Sequence, residues 1–286
     1  MERFVPGAAT RFHITPNNEW DWLVKKVKFN VRNTMTWRSG TPLPQAPGPC
    51  WLLACKCDTA VEIAQHRYGL AANGWKLLTC PPHVVSRIGN KANLHAFAKE
   101  RGLLAHLPRH YETPERASYP CMLKAAVGEH GRDVFIVHSA KEVREKAAGG
   151  FPGAGKWLLQ ELCPGSTEHA TTLLVKDGEI LDAICTNYEY DREVYVWPFV
   201  EEHQDRRKSH ENIPKAHLDT MALFVDEFSG ICNFNYKVRP SGGMCIFEVN
   251  ARVGADIACD VPRRRAAAFF RKLDSLPPSI PPSTIS

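Results

Sequence analysis

Apolar and polar residues alternate with a changing period along the chain, and the changes mark out its elements. Val27, Phe29 and Val31 alternate with Lys26, Lys28, Asn30 and Arg32, the pattern of one half-buried strand. The proline-studded remainder of residues 1–50, with Trp20, Trp22 and Trp37 as isolated anchors, reads as an irregular extension. From Trp51 the pattern sharpens. An apolar strand over residues 51–55, a helix over 60–68 and a short strand over 75–79 form a small α/β region spanning residues 51–88. Gly89-Asn90-Lys91 opens a helix over 92–101 that Gly102 closes, and 103–111 returns extended. Strands at 119–123 and 133–137 flank Lys124 and a short segment holding Gly128 and Gly131. A helix over 139–147 follows, with Ser139 and Glu142 at capping-box spacing, and then a glycine-rich loop at 149–155.

The second half is richer in strands. Residues 157–162 make an apolar strand carrying Gln160 and Glu161, which leads through Cys163-Pro164-Gly165 to Glu168. Strands at 170–175 and 179–186 are joined by Asp177-Gly178, a hairpin signal. Residues 201–213 are a mixed-charge, solvated loop. Helical period returns over 215–228, with Leu218, Met221, Ala222 and Val225 on one face, and Gly230 delivers the chain to a hairpin over 231–257 that turns at Pro240-Ser241-Gly242-Gly243. On its second strand Glu248 and Asn250 share a face, and Arg252 continues the row. A basic helix at 263–273 and a proline-rich, disordered tail over residues 275–286 come last.

Composition narrows the class. With 286 residues, 44% hydrophobic and 23% charged, the chain reads as a soluble globular protein of one or two domains. Its 36 basic and 31 acidic residues are dispersed, and no glycine/aromatic signature of an RNA-binding sheet accompanies them, which argues against a nucleic-acid partner. There is no apolar run of membrane-spanning length and no signal-type apolar core at the start, so a cytoplasmic protein without a membrane partner is expected. Among ten cysteines, Cys50, Cys55, Cys57 and Cys80 fall close together. A disulfide framework is not expected in a chain this long. Zinc is the alternative, set against the short Cys55–Cys57 gap and the apolar run CWLLACKC, where cysteine acts as a small hydrophobe.

Two places offer chemistry. The carboxylate of Glu248 and the amide oxygen of Asn250 suit a hard divalent cation such as Mg²⁺, with Arg252 placed to oppose charge on a transferring phosphoryl group. The same alternation also fits a surface hairpin whose polar residues face water. Lys124 beside nearby glycines offers a phosphate grip, although the order of a Walker loop is absent and a plain hairpin fits as well.

The order of these pieces over residues 89–260 resembles the ATP-grasp superfamily. The resemblance implies an α+β fold in which two α+β lobes clasp ATP, with an ATP-grasp domain over residues 89–274, a lid subdomain at 112–163 and a reduced N-terminal α/β region. It implies that Lys91 and Lys124 contact phosphates and that Gly128 and Gly131 belong to the lid loop. Glu161 would accept from the adenine amino group, Leu162 and Cys163 would offer backbone contacts, and Glu168 would accept from the ribose. Glu248, Asn250 and Asn235 would hold Mg²⁺, or Mn²⁺ in its place. Arg252 completes the E-x-N-x-R seen in biotin-carboxylase-like members and, with Lys124, would be catalytic. Asn235, thirteen residues before Glu248, stands where an acid is frequent, much as a glutamine does in carbamoyl-phosphate-synthase-like members. The implied activity is that of an ADP-forming ligase that activates a substrate carboxylate for attack by an amine or thiol. The alternative is a non-catalytic Mg-ATP-binding regulatory module, which Asn235 and the small N-terminal region favour.

Overall fold

Three sheets are built from the residues that the computed structural model describes, 12–15, 31–33, 41–125, 134–148 and 157–280. The first is parallel, with β1 (Phe12–Ile14), β2 (Val31–Asn33), β3 (Cys50–Leu53) and β4 (Trp75–Lys76) in the order β2-β1-β3-β4. The region read as an irregular extension therefore supplies two strands. β1 is only three residues long, too short for its alternation to stand out, and parallel neighbours are not announced by a hairpin turn. The expected helix at 60–68 is two helices, α1 (Cys57–Gln65) and α2 (Arg67–Ala72), separated at His66. A third, α3 (Pro82–Gly89), buries Val84, Val85 and Ile88.

Strand β4 is shorter than its apolar run because residues 77–79 bind the C-terminal segment. Ser279 donates its backbone N–H to the Leu77 carbonyl at 2.8 Å, and Thr79 N–H donates to Ser279 Oγ at 3.0 Å. Residues 275–280 are thus ordered against the body, with Ile280 buried, where composition alone suggests a disordered tail. Residues 281–286 lie outside the described residues.

The next helix, α4 (Lys91–Glu100), starts where Asn90 Oδ1 accepts from the backbone N–H groups of Ala92 and Asn93 at 2.9 and 3.2 Å. Past its end Gly102 takes a φ of 71°, a left-handed conformation that suits glycine. The second sheet is antiparallel. Strands β5 (His110–Tyr111), β6 (Cys121–Ala125), β7 (Val134–Val137) and β8 (Trp157–Glu161) lie in the order β5-β8-β6-β7. Helix α5 (Ala140–Ala148) packs Val143 against Cys121, Leu123, Val137 and Leu159. The segments holding Gly128, Gly131 and the glycine-rich loop at 149–155 lie outside the described residues.

The third sheet is also antiparallel. Strands β9 (Thr167–Lys176), β10 (Glu179–Glu189), β11 (Lys208–His210), β12 (Gly230–Val238) and β13 (Met244–Asn250) are ordered β11-β10-β9-β12-β13. Helix α6 (Lys215–Phe224) is shorter than its apolar period suggests, and Glu227 beyond it takes a φ of 64°. Alternation gives the sheet two different faces. Leu173, Val175, Cys232, Phe234 and Tyr236 enter the main core with Val84, Ile88, Leu94 and Phe224 from the helices. On the other face Leu174, Ile184 and Ile231 meet Phe12, Trp51, Ile257 of α7 (Ala255–Cys259) and Phe269 and Phe270 of α8 (Arg263–Asp274).

Further along that second face the residues are polar: Glu168, Asn235, Lys237 and Glu248. An irregularity between Asn235 and Tyr236 leaves Phe247 as an extra residue of β13. Ile246 and Val249 can therefore both reach the core, while Glu248 stands opposite Asn235 and Asn250 opposite Asn233.

Candidate functional site

The polar face of the third sheet gathers side chains from several elements. Lys91, the first residue of α4, reaches across so that its Nζ lies 3.1 Å from Glu248 Oε1. Burial works to raise the Glu248 pKa, but Lys91 foremost, with Arg252 and Lys124, outweighs it and holds the carboxyl below its usual range. Lys124, near the end of β6, comes from the second sheet. Burial, aided by Lys91, lowers its pKa to about 8 against the opposing pull of Glu248 and Glu168. Its Nζ lies 5.7 Å from the centre of the Phe247 ring. The lysines expected at phosphates and the expected metal carboxylate thus converge. Asn235 is the cross-strand neighbour of Glu248, and Asn250 Oδ1 accepts from the Cys57 thiol at 3.7 Å.

One carboxylate and two carboxamides on one sheet face are oxygen donors of the kind Mg²⁺ takes. They fit an ion that draws the rest of its shell from water and phosphate, and they do not fit an ion caged by protein alone. Among the described residues no group of three or more His, Cys, Asp or Glu side chains is placed to hold a metal.

At the other end of the face Glu168 and Lys237 are neighbours. Burial pushes Glu168 up to about 7, while Lys237 and the Tyr195 hydroxyl, which donates to Glu168 Oε2 at 3.2 Å, pull the other way. Burial likewise lowers Lys237 to about 8. Its Nζ sits 4.0 Å from the Tyr195 ring centre and donates to the Cys163 carbonyl at 3.3 Å. Sequence reasoning missed Lys237, although a lysine two residues past Asn235 on the same strand face was a readable signal.

Glu161 departs from expectation. Its carboxylate is held by Arg239, with Nη1–Oε1 at 2.6 Å and Nη2–Oε2 at 3.0 Å, and it also accepts from the Arg109 backbone N–H at 3.0 Å. These Arg239 hydrogen bonds hold its pKa below the usual carboxylate range against the effect of burial. These contacts fix the Glu161 carboxylate at the end of β8. Leu162 and Cys163 follow β8 in the linker to β9. Cys163 is joined through sulfur to Cys245 of β13, a disulfide that no local pattern announces because the partners are 82 residues apart.

Arg252 also departs in placement. Strand β13 ends at Asn250, and Arg252 N–H donates to the Asn250 carbonyl at 2.8 Å, so the chain turns there instead of continuing the row. Among the described residues its guanidinium makes one hydrogen bond, to the Val253 carbonyl at 2.9 Å. The loop is fixed from beneath by Asp256, which accepts from Thr172 Oγ1 at 2.9 and 3.0 Å and from Asn233 Nδ2 at 3.2 Å. Gly254 lies so close to Asp256, Thr172 and Asn233 that a Cβ there would collide with all three. Of the clustered cysteines, Cys50, Cys55 and Cys80 are buried and Cys57 is half-buried.

No protein-family model and no curated protein sequence matches the chain. Solved structures do. An L-amino acid ligase from Bacillus licheniformis superposes with a TM-score of 0.62 at 14% identity, over 97% of this chain and 76% of that one. A D-alanine–D-alanine ligase from Bacillus anthracis gives 0.59 at 13%, over 92% and 93%. A carboxyaminoimidazole ribonucleotide synthase from Aspergillus clavatus, complexed with ATP, gives 0.62 at 15%, over 97% and 79%. The chain has the ATP-grasp fold, of the α+β class.

Proposed function

We propose that the chain is an ATP-dependent ligase that activates a substrate carboxylate as an acyl phosphate for attack by an amine or a thiol. The observation that carries this reading is the convergence of Lys91 from α4 and Lys124 from β6 on Glu248 of β13. Three separate elements bring two cations and one acid within electrostatic reach of one another, as a polyphosphate with a bound cation requires. Lys91 and Lys124 would bind phosphate oxygens, Glu168 and Lys237 would line the nucleoside, and the backbone of Leu162 and Cys163 would border the base. Glu248, Asn250 and Asn235 would hold Mg²⁺, or Mn²⁺, which when bound neutralises phosphate charge. Arg252 would stabilise negative charge on the transferred group. Residues 89–274 form the nucleotide-binding unit on this reading, with 112–163 as its lid, and the setting is cytoplasmic. Among the described residues no helix is long and apolar enough to cross a membrane.

ADP and phosphate release over a panel of amino acids, short peptides and other carboxylates, each offered with amine and thiol acceptors, tests the proposal. Release that depends on both a carboxylate and an acceptor is the expected result. A second reading, a regulatory module that binds Mg-ATP without turnover, is favoured by the single carboxylate at the metal position. ATP binding with no ADP formed across the panel would select it.

A further inference from the structure

We propose that Cys163 and Cys245 form a reversible disulfide clamp that regulates nucleotide exchange. The inference rests on the nucleotide reading of the site. Cys163 lies in the linker from β8 to β9, the segment that connects the second sheet to the third. Its carbonyl already accepts from Lys237. Cys245 is the cross-strand neighbour of Lys237, so its side chain shares the polar face of the third sheet. The bond between them fastens the linker to the floor of the site. Their Cα atoms are 7.1 Å apart, so the bond holds the linker close to β13.

The two sulfurs differ in access, which gives the chemistry an order. Cys163 is half-buried and reachable by a small oxidant, whereas Cys245 is fully buried. Arg239 Nη2 lies 3.4 Å from Cys245 Sγ and would support that sulfur as a thiolate. A small-molecule disulfide such as oxidised glutathione is the oxidant. The Cys163 thiolate attacks it and releases one thiolate. The Cys245 thiolate then attacks the Cys163 sulfur of the mixed disulfide and releases the second. Two protein thiols lose their protons and two electrons, and one oxidant disulfide becomes two thiols. Cys50, Cys80 and Cys121 are poorer competitors, since burial pushes their thiols up to about 11.

Opening two lobes to release a nucleotide requires the linker between them to move, and the clamp opposes that motion. The test compares the full chain reduced with dithiothreitol and oxidised with glutathione disulfide. Non-reducing peptide mapping should find Cys163 linked to Cys245 only after oxidation. The oxidised protein should release a fluorescent Mg-ATP analogue about fivefold more slowly or slower still. Cys245→Ala should release it at the reduced rate under both conditions. Absence of the linked peptide, or equal release rates from the two wild-type states, overturns the clamp. If neither state binds the analogue, the nucleotide reading fails by itself. The clamp is then judged by proteolysis within residues 162–166, which oxidation should slow and which equal cleavage would refute.

Discussion

Lys91 Nζ and Glu248 Oε1 are 3.1 Å apart, an ion pair that ties the first residue of α4 to the polar face of β13. On the proposed reading one partner meets phosphate and the other the metal, so their substitutions should separate. Lys91→Ala is expected to weaken ATP binding by about tenfold or more whether or not Mg²⁺ is present, the loss of a charged hydrogen bond. Glu248→Gln should weaken Mg-ATP binding while leaving metal-free ATP within about twofold, because only the ion links that carboxylate to the phosphates. Calorimetric titrations with Mg²⁺ and with excess EDTA measure both, and equal losses for Glu248→Gln in the two conditions would remove it from the metal.

Arg252 stands on a loop and is bound only to the Val253 carbonyl among the described residues, which leaves most of its guanidinium for a ligand. If it meets charge that grows during group transfer, Arg252→Ala should leave ATP affinity within a few-fold. Turnover should fall by about a hundredfold, or roughly 3 kcal/mol of transition-state stabilisation. Steady-state rates beside direct ATP titration decide the matter. Parallel loss of affinity and rate would make Arg252 a binding residue.

Asp256 gives a pH signature. Burial raises its pKa from 3.8 to about 7, even though Thr172 donates to it. Between those values the folded protein binds a proton that the unfolded chain releases, so this group's contribution to stability falls as pH rises from about 4 to about 7. Glu168, raised from 4.5 to about 7, acts in the same direction. Asp256→Asn should therefore lose less stability than wild type between pH 5 and pH 8 in urea melts. Parallel profiles would mean that Asp256 titrates like an exposed acid.

Arg239 holds Glu161 with two hydrogen bonds and also donates to the Leu107 carbonyl at 3.3 Å. Arg239→Ala leaves a half-buried carboxylate without its main partner and should cost about 1–3 kcal/mol of stability. Glu161→Gln keeps a neutral acceptor for Arg239 and should cost less. If Glu161 only braces the linker, neither change should alter the preference for ATP over GTP once stability is restored by working at lower temperature. A selective loss of ATP binding in Glu161→Gln would return Glu161 to the base itself.

Much of this protein was legible in the order of its residues. Apolar runs on either side of Asp177-Gly178 and of Pro240-Ser241-Gly242-Gly243 marked β9, β10, β12 and β13, because such turns join neighbouring antiparallel strands. Asn90 and Gly102 bounded α4, because helix ends need a side-chain acceptor and a left-handed residue. Glu248 and Asn250, two apart on β13, were placed on one face by the pleat itself, and the structure keeps them there. Asn235 fell opposite Glu248 because the two strands form one hairpin.

What remained belongs to contacts between distant segments, which no local period encodes. β1 and β2 join a parallel sheet whose partners come from elsewhere in the chain. Ser279 is ordered by Leu77 and Thr79, two hundred residues away. Arg239 captures Glu161 across a separation of 78, a pairing that no local pattern announces. Cys163 meets Cys245 only because β13 lies beneath the linker from β8. That Glu248 and Asn250 share a face follows from geometry within one segment, whereas the end of the strand before Arg252 does not. Which of those side chains are already held by a partner was decided by the tertiary structure alone, because burial and pairing depend on what else arrives.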